Sequence, residues 1–143
     1  MKELVILVGP PGSGKTTYSK AFLPNHLHLS TDYGAIKQKF KDGLATGKDI
    51  VIDRMNPTKK QRAEYIKPAI EAGYHVRAVM FNTPKLECRR RLVLRKDHPT
   101  LDNRSIPRLH MVLAYFYKEF EEVDEIPVTF VEPENLSTDP DAP

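Results

Sequence analysis

The sequence predicts an α/β protein: a P-loop kinase type of doubly wound parallel sheet, about five strands, with helices on both faces and a helical lid. Three observations predict it. Residues 9–16 read Gly-Pro-Pro-Gly-Ser-Gly-Lys-Thr, which satisfies every specified position of the phosphate-binding loop pattern. An apolar run at residues 4–8 precedes this loop, and a helix-like stretch at 16–23 follows it. Beyond the loop, apolar runs alternate with helix-like stretches, as parallel strands joined by crossover helices require.

The elements follow in order. Residues 4–8 form the first strand, and the helix after the loop reaches about Leu23, where Pro24 and Asn25 end it. His26-Leu27-His28-Leu29-Ser30 alternates and is a short second strand. A helix over 33–44 is closed by Gly43 and Gly47, and residues 49–53 make the third strand. Thr58 caps the next helix, with Gln61 completing a capping box. That helix runs to Ala72 before Gly73, and Pro68 inside it is expected to kink or split it. Residues 75–81 form strand four. Pro84 opens a helix that runs to Lys96, a loop covers 97–105, and Pro107 opens a helix that reaches Val123. Residues 127–131 are strand five. The kinase domain thus spans 1–131, and the Pro/Asp-rich tail 132–143 is expected to be disordered.

The loop dictates a chemistry. A strand that turns sharply into a helix presents successive backbone N–H groups to an anion, helped by the helix dipole. Pro10 and Pro11 lack that donor, so the phosphate-facing amides come from Gly12 through Thr16. Pro11, Gly12, Ser13, Gly14, Lys15, Thr16 and Thr17 are the candidate nucleotide contacts. Lys15 is expected to reach the terminal phosphates and the Thr16 hydroxyl to ligate magnesium, so ATP with Mg2+ is the expected cofactor pair, with GTP use left open.

Length and composition set bounds. The chain has 143 residues, enough for one domain with its own core. It has no apolar run of transmembrane length, and Met1-Lys2-Glu3 leads directly into a strand, leaving no room for a signal peptide. Cys88 is the single cysteine, which excludes an internal disulfide, points to a reducing cytoplasm and is expected to be a small core residue. The net charge of +3 conceals an asymmetry: residues 1–118 carry 22 basic and 10 acidic side chains, whereas 119–143 carry 9 acidic and no basic ones. A strongly basic body suits a polyanionic partner, and equally a solvated surface around an ATP site.

Ligands of such sheets bind beyond the carboxyl ends of the strands. After the second strand, Asp32 is the candidate general base for phosphoryl transfer to a hydroxyl, or a helix N-cap, or both. After the third, Asp53 stands where it can hold magnesium through water or anchor a substrate pocket, with Arg54 and Asn56 beside it as candidate substrate contacts. Arg91 and Arg95 are four apart and share a helix face from which guanidinium groups can lie against ATP phosphates. Arg89, Arg90 and Lys96 belong to a solvated basic face. The five histidines are scattered, without metal-ligand spacing, and His110 is expected to be a packing residue.

These residues form an ordered series: the loop at 9–16; Ser30-Thr31-Asp32; Gly47-Lys48 leading to Ile52-Asp53, Asn56-Pro57 and Arg62; residues 81–95; and Ile106-Pro107 before an aromatic-rich helix. Over about residues 4–131 this series resembles the 5′-hydroxyl polynucleotide kinases, the kinase domains of phage and animal nucleic-acid end-healing enzymes. The resemblance implies that Lys15 and Thr16 carry the ATP phosphates and magnesium, and that Asp32 accepts the proton of a 5′-hydroxyl. It also implies that Arg95, with Arg91, reaches from the lid to the phosphates, and that Asp53 helps shape the acceptor site. The phage-type enzymes place an arginine three residues after the base; here that position is Ala35, and Arg54 is the expected substitute. The implied partner is a DNA or RNA 5′ end, together with a phosphatase or ligase domain or protein. Two other readings compete: a small-molecule kinase for a nucleoside, sugar or similar alcohol, and a nucleotide-dependent binding module.

Overall fold

The structure, a computed structural model, describes residues 2–30, 35–94 and 106–132. The elements run β1 (Glu3–Val8), α1 (Lys15–Phe22), β2 (Leu27–Leu29), α2 (Ile36–Ala45), β3 (Ile50–Asp53), α3 (Lys59–Glu71), β4 (His75–Phe81), α4 (Lys85–Leu94), α5 (Ile106–Glu119) and β5 (Val128–Val131). The strands form one parallel sheet in the order β2-β3-β1-β4-β5.

The central strand is the most apolar because both of its faces are covered. Leu4 through Val8 are all fully buried. One face packs Leu4, Ile6, Ile50, Ile52 and Ala78 against Phe40, Tyr65, Ala69 and Phe116. The other packs Val5, Leu7, Val51, Val79 and Phe81 against Leu23 and Tyr18 of α1. A third cluster, Cys88, Leu92, Leu109 and Leu113, joins α4 to α5. Cys88 is fully buried in it, and burial pushes its thiol up to about 11, which keeps it protonated at neutral pH.

Local signals hold in most places. Both halves of the Thr58–Gln61 capping box are present. Three details differ from the sequence expectation. Pro68 does not split α3, because the turn after it is intact, with Ala72 N donating to Pro68 O at 3.0 Å. The last helix ends at Glu119 rather than Val123, since residues 121–125 are held by α3. His110 is not in the core: it is exposed and accepts a hydrogen bond from Arg89 Nε at 3.0 Å. The start of the 33–44 helix, the 97–105 loop and the 133–143 tail lie outside the described residues. Among the described residues no helix is long and apolar enough to cross a membrane.

Candidate active site

The loop between β1 and α1 turns on two glycines with positive φ, Gly12 at 79° and Gly14 at 100°. Side chains rarely adopt such angles, and successive amides arranged this way make an anion-binding concavity. Gly12 is required for a second reason: a Cβ there would stand 2.7 Å from the Cys88 carbonyl oxygen. The loop is therefore pressed against α4. From that helix the Arg91 Nη1 donates to Gly12 O at 3.2 Å, while its Nε donates to Glu87 at 3.2 Å. Thr83 Oγ1 donates to Ser13 O at 2.9 Å and ties the loop to the end of β4.

Lys15, nearly buried, spans the loop and donates from Nζ to Gly9 O at 3.0 Å and Pro10 O at 2.8 Å. The first amides of α1 have no acceptor within the helix, which is where an anion docks. Ser13 turns inward: it is fully buried, its amide donates to Pro10 O at 3.3 Å, and its Oγ has no partner. The Ser13 side chain thus faces the protein interior. Thr17 is exposed on α1, and Pro11 is buried in the loop.

The loop meets β3 through one carboxylate. Thr16 Oγ1 donates to Asp53 Oδ2 at 2.7 Å, and His28 Nε2 approaches the same oxygen at 2.7 Å. Burial raises the Asp53 pKa, but the His28 and Thr16 hydrogen bonds and the Lys15 charge outweigh it, leaving the carboxyl below its usual value and ionised at neutral pH. The hydroxyl of Thr16 and the carboxylate of Asp53 are hard oxygen donors. Magnesium is held by one or two such groups, with water and phosphate completing its shell, so this donor set fits the ion. His28 is the residue that spacing in the sequence did not reveal; its signal was parity, since it pairs with Val51 and shares a sheet face with Asp53.

Arg54 and Asn56 differ in what occupies them. Arg54 is half-buried, and its Nη1 donates to Tyr65 OH at 2.8 Å. Asn56 is buried with φ 49°, and its amide donates to Leu7 O at 2.8 Å and Arg54 O at 3.3 Å. That amide pins the β3–α3 turn to β1, and Met55 O accepts from Gly9 N at 3.1 Å beside it. The turn has a further clamp in Arg62, which is fully buried. Its Nη1 donates to Asn56 O and Pro57 O, its Nη2 to Glu121 O and Glu122 O, and its Nε to Glu125. Asp32 and Arg95 lie outside the described residues. The structure therefore brings together the loop, Lys15, Thr16, Asp53, His28 and Arg91, with Arg54 and Asn56 on the adjoining turn.

Fold and loop together define the class: this is a P-loop kinase fold, a nucleotide-binding architecture. Residues 30–114, more than half of the chain, match the AAA domain family, and the chain belongs to that family. A protein of Acanthamoeba polyphaga mimivirus that bears the name of a bifunctional polynucleotide phosphatase/kinase is 39% identical over 90 residues, covering 58% of this chain and 21% of that one. Three curated relatives are matched over only 21%, 12% and 25% of their own lengths, so this chain corresponds to a minor part of each. Among solved structures, a fungal RNA kinase superposes with a TM-score of 0.66 at 15% identity, covering 92% of this chain and 74% of that one. A sugar kinase from Janibacter superposes with 0.67 at 14% identity, covering 95% and 90%. At such identities the structural likeness concerns the fold.

Proposed function

We propose that this chain is an ATP-dependent polynucleotide kinase that transfers the γ-phosphoryl group to the 5′-hydroxyl end of DNA or RNA. The loop, with Lys15 and the Thr16–Asp53 pair, supports phosphoryl transfer from a nucleotide. The acceptor rests on one observation, the 39% identity to the mimivirus protein. In this reading the loop amides and Lys15 grip the β- and γ-phosphates. Thr16 and Asp53 hold magnesium, which when bound draws charge from the phosphate oxygens. Arg91, and Arg95 further along the chain, add positive charge where the transition state spreads negative charge. Asp32 takes the proton of the attacking 5′-hydroxyl, and Arg54, already braced by Tyr65, binds the acceptor phosphate in place of an arginine at position 35. A phosphatase or ligase on the same or another chain is the expected partner activity.

A small-molecule kinase is the second reading, favoured by the equal fit to the sugar kinase. Competition separates the two. With γ-labelled ATP, label should pass to 5′-hydroxyl oligonucleotides, and small alcohols such as gluconate should neither accept it nor suppress that transfer. Asp32→Asn should abolish transfer while ATP binding persists, and Arg54→Ala should weaken only the oligonucleotide. Normal turnover in Asp32→Asn would remove the base assignment, and suppression by gluconate alone would favour the second reading.

A further inference from the structure

The transfer chemistry above makes no use of His28, yet this side chain is built into the site. It stands on β2 opposite Val51, so the register of β2 on β3 carries it to the same sheet face as Asp53, two residues further along. Its Nε2 and the Thr16 hydroxyl both meet Oδ2 of Asp53, each at 2.7 Å. The Asp53 side chain is only 4% exposed, so protein donors replace most of its water. An ionised carboxylate only accepts, hence Nε2 carries the hydrogen. Oδ2 of this buried carboxylate therefore accepts two hydrogen bonds, which restrain the side chain. Among the described residues no hydrogen bond reaches Oδ1.

We infer that His28 is a positioning residue for the magnesium nucleotide: by occupying Oδ2 of Asp53 it keeps that carboxylate oriented, with Oδ1 for the ion or its water. The inference rests on the reading of Thr16 and Asp53 as the magnesium site, and is independent of the acceptor. Partners that orient a ligand from behind carry about tenfold or more in metal affinity. The loop amides and Lys15, which grip the phosphates, do not depend on His28.

The test is binding of a fluorescent ATP analogue to the whole chain, with and without magnesium, for wild type, His28→Leu and His28→Gln. Magnesium should tighten binding to wild type. In His28→Leu that enhancement should shrink about tenfold, with metal-free affinity nearly unchanged, while the loss of one donor to the buried carboxylate lowers the melting temperature of the free chain. Gln, whose amide places a donor near the position of Nε2, should restore most of it. Should His28→Leu fail to fold, His28→Asn, whose amide falls short of Asp53, takes its place with the same expectation. Wild-type enhancement in the Leu or Asn variant overturns the inference, as does equal weakening with and without the ion, which marks a purely structural residue. A wild-type chain that binds the analogue with no response to magnesium overturns the Thr16–Asp53 reading and this inference together. A chain that phosphorylates only small alcohols leaves the inference standing.

Discussion

Gly12 shows how much one position can carry. Its φ of 79° and the 2.7 Å approach of the Cys88 carbonyl to a virtual Cβ impose two separate penalties on any side chain. Gly12→Ala should therefore cost roughly 1–3 kcal/mol in backbone strain and weaken nucleotide binding at least tenfold, because the loop must move off α4. Thermal unfolding and titration with an ATP analogue check both halves; unchanged binding would mean that the loop is not the nucleotide cradle. The glycine pattern was legible in the sequence because the motif specifies it. His28 was not, for a physical reason: its partner lies 25 residues away on another strand, and only the pairing register brings the two together. The spacing placed Arg91 and Arg95 on one helix face, but nothing local signalled that the Arg91 guanidinium rests on Gly12 O.

At the scale of elements, the turn between β3 and α3 is held from both sides. Asn56 fastens it to β1, and Arg62 fastens it to residues 121–125. Arginine in a helix is ordinarily a surface residue, so its complete burial here was hidden until the acidic segment was seen folded against α3. Lys59 adds to the same contact, with its amide bonded to Glu121 and its Nζ to Asp124. This also explains why α5 stops at Glu119: the chain beyond it is claimed by α3. Arg62→Met removes the guanidinium donor from four carbonyls and from Glu125, of which Pro57 O keeps the Glu121 amide. It should destabilise the chain by roughly 3 kcal/mol, measured as a lower urea midpoint with little change in slope. A loss below about 0.5 kcal/mol would show that the clamp is replaceable. The five strands and the capping box were legible because periodicity and local hydrogen bonding fix them; the helix ends were not, because tertiary contacts decide them.

Across the whole molecule, charge is sorted along the central strand. The loop and Asp53 stand beyond its carboxyl end, whereas Glu3 at its start meets Arg77 at 2.8 Å and His26 at 2.8 Å. The Arg77 hydrogen bond, aided by His26 and opposed by burial, holds the Glu3 carboxyl below its ordinary value of 4.5. A group lowered in the folded state stabilises above its unfolded pKa, and loses that contribution as pH falls through the folded value. The chain should therefore lose stability below pH 4.5 more steeply than Arg77→Gln does, by about 1 kcal/mol at this half-exposed pair, as urea unfolding at a series of pH values would reveal. Parallel slopes would assign the acid sensitivity to other carboxylates. The basic body inferred from composition is partly answered within the fold, since Arg62 and Lys59 take up acidic partners from residues 121–125.

The most direct measurement follows the label itself. Wild-type chain is incubated with magnesium and γ-labelled ATP in the presence of matched DNA and RNA oligomers bearing either a 5′-hydroxyl or a 5′-phosphate. The account predicts label at the 5′ end of the hydroxyl oligomers alone, weakened by added salt as phosphate contacts require. Label on gluconate or another small alcohol, with every oligomer left unlabelled, would contradict it.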